Sequence, residues 1–151
     1  MDKLTIVGLE GGASGVSVVA QFNPKEIAID KSVPWQKQKT KGPGDLEFSS
    51  ANPQTMSCEL LFDGVESGIH IQDEIDKLQR LSDIDSGLKR PPKVKVVLGP
   101  EGAPGWIPKF EAVVESMHIK YTLFDGNGMP LRAAVKMGFI QARKLKVVAL
   151  P

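Results

Sequence analysis

Residues 110–139, FEAVVESMHIKYTLFDGNGMPLRAAVKMGF, decide the fold of this chain. Apolar side chains recur at every second position in both halves, the period of a β-strand with one buried face. In the first half the alternation changes phase next to Glu115 and Ser116, where one extra residue in a β-bulge would restore a single inward face. The DGNG sequence at residues 125–128 is typical of a tight hairpin turn. The stretch therefore predicts two long antiparallel strands joined as a hairpin.

Shorter segments on the N-terminal side of this hairpin repeat the same alternation. They cover residues 4–9, 16–22, 27–33, 46–48, 56–62 and 93–98. Most of the connections contain Gly, Pro or Asn, the residues that favour turns. Strands and helices do not alternate along the chain, which argues against a doubly wound nucleotide-binding fold. The sequence predicts a mainly β fold, an antiparallel β-barrel or sandwich.

Residues 69–81 are the exception, since their apolar side chains follow the 3.6-residue period of an amphipathic helix. Ser67 is the predicted N-cap of this helix. Two acid-before-base pairs at i,i+4 predict a solvent-exposed outer face. The pairs are Asp73 with Lys77 and Asp76 with Arg80.

The composition indicates a soluble globular protein with no general attraction to nucleic acid or membranes. The chain has 151 residues, 41% of them hydrophobic, and a formal net charge of +1. No apolar run approaches the roughly 20 residues of a membrane helix, and the N-terminus lacks the pattern of a signal peptide. We expect one β domain over residues 1–141, followed at 142–151 by a C-terminal strand or docking tail.

No set of residues predicts catalysis, a cofactor or a metal site. His70 and His118 are far apart in sequence and fit no metal-ligand spacing. Glu111 and Glu115 would lie about 13 Å apart on a regular strand, too far for a glycosidase carboxylate pair. Cys58 alternates with apolar residues, which indicates a core position rather than a nucleophile. The expected protein is not an enzyme.

The most informative polar segment is residues 31–44, a predicted loop that carries four lysines around Trp35. Three interpretations are open: a solvated loop, a site for single-stranded nucleic acid, or a contact with a neighbouring subunit. In the third interpretation, an acidic cluster in the helix region supplies the complementary charge. Its members are Asp73, Glu74, Asp76, Asp83 and Asp85. The interface candidates are Trp35, Lys37, Lys39, Lys41, Asp73 and Asp76, together with Lys144, Lys146 and Val148 in the tail.

An ordered set of short segments resembles the tube-type proteins of contractile injection systems, which are phage-tail-like particles. These segments span most of residues 4–141. They include QFNPKE at 21–26, DKSVPW at 30–35, LLFD at 60–63, RPP at 90–92, FEAVVES at 110–116 and GMPLRA at 128–133.

The resemblance implies a tail-tube barrel, a hexameric ring, and a place in the inner tube or at its junction with the baseplate. The implied partners are further copies of the chain and the neighbouring tube, hub or spike, and baseplate proteins. The particle would assemble in the cytoplasm and then be released or anchored at a membrane, thylakoids included. Relatives often carry a LysM domain, for which residues up to Pro151 offer no counterpart. The rival functions are a small-molecule- or glycan-binding barrel without catalysis, and a barrel that binds single-stranded nucleic acid.

Overall fold

The structure is a computed structural model that describes residues 2–37, 46–48 and 52–142. Within these residues the chain forms nine strands, one short 3-10 turn at Gly11–Ala13 and one α-helix. The strands are β1 Thr5–Gly8, β2 Ser17–Val19, β3 Ile27–Asp30, β4 Trp35–Lys37, β5 Leu46–Phe48, β6 Thr55–Asp63, β7 Val94–Val97, β8 Phe110–Phe124 and β9 Pro130–Gln141, and the helix is α1 Ile71–Ser82.

Seven strands form one antiparallel sheet in the order β2-β1-β7-β8-β9-β6-β3, and β4 and β5 pair separately. The mainly β, antiparallel fold with one short helix is confirmed. The sheet is not closed, because β2 and β3 form its two edges. In the described part of the chain, the barrel expected from the sequence is therefore an open sheet.

The hairpin predicted from residues 110–139 is confirmed, with two register shifts beyond the predicted one, between Tyr121 and Leu123 and between Leu123 and Phe124. The register of β8 against β9 shifts between Val114 and Ser116, at the predicted bulge. Gly128 has φ +89°, and Asp125 donates its backbone N–H to the carbonyl of Met129, which closes the turn. The alternating side chains of β9 point inward, so Ala133, Val135, Met137 and Phe139 are buried in the core.

Helix α1 covers the inward face of the sheet, where it packs against β2, β8 and β9. Its four inward residues, Ile71, Ile75, Leu78 and Leu81, are fully buried. Burial of an aliphatic side chain of this size contributes about 1.5–3 kcal/mol. The helix is therefore held mainly by its apolar face.

The predicted start of the helix was wrong. Gly68 has φ +71°, which excludes it from the helical turn that an N-cap at Ser67 would require. His70 is extended, with φ −86° and ψ 99°, so the helix begins at Ile71 with His70 as its N-cap. Ser67 instead donates its hydroxyl to the carbonyl of Asp63 at 3.0 Å, within the turn that precedes the helix.

The predicted exposed outer face of α1 is confirmed, since Asp73, Asp76 and Arg80 are exposed, but neither i,i+4 ion pair forms among the described residues. Lys77 pairs with Glu74 at 3.2 Å, and Asp76 accepts a hydrogen bond from Gln72 at 2.8 Å. Arg80 reaches instead to the carbonyl of Gly12 at 3.3 Å, because the last turn of α1 lies against the loop after β1.

Candidate assembly surfaces

Strand β8 has a long edge without a partner strand. β7 pairs with it only at Phe110, Glu111 and Ala112, whereas β9 pairs with it up to Phe124. β7 begins at Val94, directly after residues 91–93, where two prolines cannot donate to a sheet. In the described part of the chain, residues 113–124 of β8 therefore have one edge on which no strand lies. Such edges are ready templates for pairing with another chain.

The side chains along this edge form two rows. Ile119 and Tyr121 lie opposite Val135 and Ala133, on the face that carries the core. The residues at the intervening positions, which include Lys120, point to the other face of the sheet. Tyr121 donates its hydroxyl to Gln72 Oε1 at 2.5 Å, which ties the protruding strand to α1. This hydrogen bond restrains Tyr121 relative to the helix.

Strand β3 supplies a second edge. It pairs with β6 through Ile27↔Cys58 and Ile29↔Met56, and it is the last strand of the sheet. Ile27 and Ile29 therefore lie on the core side, yet Ile29 is 44% exposed. The strands β8, β9, β6 and β3 form a continuous four-stranded block. Within the described residues, no strand lies on the outer edge of β3 or on the outer edge of β8 over residues 113–124.

Strand β2, the other end of the sheet, continues into a side-chain clasp. Gln21 donates its Nε2–H to the carbonyl of Asp63 and accepts the N–H of Asp63 with its Oε1, both at 2.8 Å. The primary amide thus reproduces the two hydrogen bonds of a strand neighbour. The clasp joins the segment after β2 to the end of β6 without a continuous strand pair.

The Asp63 side chain forms hydrogen bonds to two other parts of the chain at one end of the block, which we call the Asp63 end. Its Oδ1 accepts the N–H of Val65 at 2.9 Å and its Oδ2 accepts the Nε–H of Arg132 at 3.1 Å. The Val65 hydrogen bond, followed by the Arg132 guanidinium, lowers the pKa of the Asp63 carboxyl. Gly64 donates its N–H to the carbonyl of Leu131. Gln21, residues 64–65 and residues 131–132 are therefore held together around Asp63.

At the opposite end of the block, β4 and β5 form a small hairpin. The prediction of a loop over residues 31–44 was wrong for residues 35–37, which form a strand. Trp35 lies opposite Phe48, with ring centroids 5.3 Å apart and planes at 48°. Trp35 is 56% exposed and Leu46 is 60% exposed. A two-stranded hairpin with an exposed apolar face gains little stability by itself.

The structure describes only some of the remaining predicted interface residues. Lys37 pairs through its backbone with Leu46, but its side chain lies outside the described part of the chain. The other predicted interface lysines and the tail position also lie outside it. They are Lys39, Lys41, Lys144, Lys146 and Val148.

Asp73 and Asp76 lie on the exposed face of α1. The neighbouring Asp85 serves the fold instead, because its carboxylate accepts the N–H groups of Gly12, Gly87 and Leu88 at 2.8–3.0 Å. These hydrogen bonds, that of Gly12 first, lower the pKa of Asp85. Asp85 is therefore not available as a free docking charge.

The loops after β1 and before β7 are joined by an ion pair. Arg90 donates NH1 and NH2 to the two carboxylate oxygens of Glu10 at 2.9 and 3.0 Å, and Lys93 donates its backbone N–H to Glu10 at 2.7 Å. The bond from Arg90 is the main cause that lowers the pKa of Glu10 to about 2. This geometry is the bidentate fork of a strong charged pair.

The groups with potential chemistry do not converge. His118 is exposed on β8, while His70 lies at the start of α1. Cys58 is 5% exposed, and burial raises the pKa of its thiol to about 11. No group of three or more acidic, His or Cys side chains that could hold a metal occurs in the described ranges. An open cleft of about 300 Å³ lies between residues 22–26 and strands β6 and β9.

The free edge of β8 is the feature that sequence reasoning missed. Alternation predicted that Ile119, Tyr121 and Leu123 all point inward, which was wrong for Leu123, because a register shift places it opposite Arg132. Alternation also did not show that the neighbouring strand stops early. The available signal was the mismatch between a strand of 15 residues and the four of β7, with prolines just before the shorter one. A length comparison of this kind identifies unpaired edges.

Comparison with known proteins gives one result of consequence. A family model described as contractile injection system tube protein matches residues 1–149. No curated protein matches the chain. Within the described residues, no helix is both long and apolar enough to cross a membrane. With a match over nearly its whole length, the chain belongs to the family of contractile injection system tube proteins.

Proposed function

We propose that this tube protein forms a ring, of six copies as its family resemblance implies, in the inner tube or at its junction with the baseplate. The observation that carries the proposal is the four-stranded block with an available edge on each side. In a closed ring every copy needs two different surfaces that match each other. The edges of β3 and β8 are two such surfaces.

The side chains of the two edges are complementary. Ile27 and Ile29 of β3 would extend the apolar row that Ile119 and Tyr121 of β8 begin. On the opposite face, Asp30 would meet the row that contains Lys120. Each backbone hydrogen bond gained contributes about 0.5–1.5 kcal/mol, so several bonds together make a stable joint. Repetition of this contact joins the blocks into a continuous wall.

The conduit formed in this way has a mechanical role. Helix α1 covers one face of the block, and the other face would form the wall of the channel. That face is polar along a cross-strand row in which Lys136 of β9 lies between Glu59 of β6 and His118 of β8. A polar wall suits the passage of a hydrated cargo. This role requires no catalytic group, and a structural tube family suggests a non-enzymatic protein.

We assign the interface residues predicted from the sequence to contacts with components outside the ring. Trp35 and the lysines Lys37, Lys39 and Lys41 would meet a neighbouring ring or baseplate protein, and Asp73 and Asp76 would offer acidic charge to a similar partner. The tail with Lys144, Lys146 and Val148 would dock on an adjacent component. The particle would assemble in the cytoplasm before release or anchoring.

The ring contact is tested by an edge charge with a matched control. Ile29→Lys places a charge on the β3 edge, and we expect the protein to remain monomeric in light scattering and to form no rings in negative-stain electron micrographs. Ile84→Lys changes a residue that is even more exposed, at 75%, in the loop after α1, and should leave rings intact. Normal rings from Ile29→Lys would show that β3 is not the joining edge.

A further inference from the structure

Asn127 and Gly128 form an Asn-Gly sequence at the tip of the β8–β9 hairpin, at the Asp63 end of the block. Both residues are exposed. In such a pair the backbone nitrogen of the glycine can attack the side-chain amide carbon of the asparagine and close a five-membered ring. Glycine has no Cβ to obstruct this attack, and no atom lies within 4 Å of the position that a Cβ of Gly128 would occupy.

The chain has two other asparagines, Asn23 and Asn52, and each of them is followed by proline. A proline nitrogen carries no hydrogen, so it cannot become the ring nitrogen of the product. The side chain of Asn23 is also held in place, because its Oδ1 accepts the N–H of Leu4 at 2.9 Å and its Nδ2–H donates to the carbonyl of Asp2. Asn127 is therefore the only asparagine with a reactive neighbour.

The turn that contains Asn127 is closed by hydrogen bonds to Asp125. The Oδ1 of Asp125 accepts the N–H of Asn127 at 2.8 Å and that of Met129 at 2.9 Å. The carbonyl of Asp125 accepts the N–H of Gly128 at 3.1 Å, so the attacking nitrogen becomes available when this bond opens. The tip is exposed and lies outside the core, where local opening costs much less free energy than global unfolding.

We propose that Asn127 is a site of spontaneous covalent modification, at which the neutral hairpin tip becomes acidic. The Gly128 nitrogen loses its proton and bonds to Asn127 Cγ, the bond from Cγ to the side-chain nitrogen breaks, and ammonia leaves with that proton. Water then adds to one of the two ring carbonyls and opens the succinimide to aspartate or isoaspartate. Water is the only co-reactant. The proposal does not depend on the proposed ring.

The two products differ in their effect on the turn. Isoaspartate continues the chain through its side-chain carbonyl, which adds one methylene group to the backbone before the Gly128 nitrogen. The N–H groups of Gly128 and Met129 then no longer match their acceptors on Asp125. These bonds close the turn directly after Phe124, the last residue of β8, so we expect the end of β8 to fray. Aspartate keeps the backbone unchanged and adds only a charge.

Peptide mapping of aged protein tests the site. The full-length chain and a synthetic peptide of residues 121–132 are incubated separately at mildly alkaline pH, and digests are analysed by mass spectrometry. The mass gain from amide to acid should appear at residue 127, no more than about a hundredfold more slowly in the folded chain than in the free peptide. Asn23 and Asn52 should stay unmodified. A rate at Asn127 below this limit, or product at Asn23 or Asn52, would overturn the assignment.

Two variants separate the ring chemistry from the added charge. Asn127→Gln keeps a neutral amide but would need a six-membered ring, so no acid should form at residue 127. Formation of acid at the wild-type rate in this variant would contradict attack by Gly128. Asn127→Asp carries the charge without the extra methylene group. The acidic fraction of aged wild-type protein, separated by ion exchange, should melt at a lower temperature than Asn127→Asp, and equal melting temperatures would overturn the proposed effect on β8.

Discussion

Gln21 and Asp63 are joined by two hydrogen bonds of 2.8 Å, so that a side-chain amide takes the place of a strand neighbour beside the end of β6. β2 and β6 lie far apart in the order of the sheet. The clasp therefore joins two strands of one open sheet that are not neighbours in it, and it holds the segment after β2 against the end of β6.

Removal of the clasp should destabilise the fold. Gln21→Ala leaves the N–H and carbonyl of Asp63 without these partners, and we expect the free energy of unfolding to fall by about 1–3 kcal/mol. Urea denaturation followed by circular dichroism measures this loss. Gln79→Ala, at an exposed position of α1, serves as the control and should change stability by less than about 0.5 kcal/mol. Equal stability of the two variants would mean that the clasp contributes nothing.

The ion pair between Glu10 and Arg90 should make stability depend on acid pH. The pKa of Glu10 is about 2 in the folded protein and 4.5 without its partners, so the unfolded chain binds the proton more tightly. The stabilisation is thus complete above pH 4.5 and is lost as the pH falls toward 2. Glu10→Gln should lower stability at pH 7 by about 1–2 kcal/mol, less than the full shift because the Glu10 side chain is 26% exposed.

Thermal melts of wild type and Glu10→Gln between pH 7 and pH 2.5 provide the measurement. The difference in melting temperature should shrink as the pH decreases through this window. A difference that stays constant with pH would show that the carboxylate charge is not the cause.

Gly99 should tolerate no side chain, since it has φ +87° and an added Cβ would lie 2.0 Å from the Trp106 ring. We expect Gly99→Ala to cost about 2–4 kcal/mol, from backbone strain and displacement of the indole. Gly102→Ala is the matched control, because Gly102 has φ +72° but no atom within 4 Å of the added Cβ. Only Gly99→Ala should change the tryptophan fluorescence. An equal loss of stability and an equal fluorescence change in both variants would mean that backbone strain, and not contact with Trp106, causes the effect.

Cys58 should be unreactive in the folded protein. Burial excludes reagents, and a pKa of about 11 leaves little thiolate at pH 8. Dithionitrobenzoate should modify the Cys58 thiol in buffer at less than about one hundredth of its rate in 6 M guanidinium chloride, where the thiol is solvated. Rapid modification of the native protein would show that the β6 face opens to solvent.

The sequence by itself determined the local elements, because their signals are short-range. Residues 110–139 predicted β8, the bulge before Ser116 and the hairpin turn, since period-two alternation and turn composition require no knowledge of distant residues. The apolar stripe of α1 was equally visible. Its start was not, because Gly68 adopts a positive φ that the helical pattern does not reveal.

Only the tertiary structure decided which strands are neighbours, and hence which edges are available. That β7 pairs with just three residues of β8, and that Gln21 reaches Asp63 over 42 residues of chain, depends on long-range contacts with no local signature. Asp85 illustrates the same limit. Its sequence neighbours suggested a free acidic cluster, but its carboxylate is engaged by Gly12, which lies 73 residues away. Local pattern therefore determined most of the strands, with β4 as an exception, and packing determined the surfaces on which the proposed assembly rests.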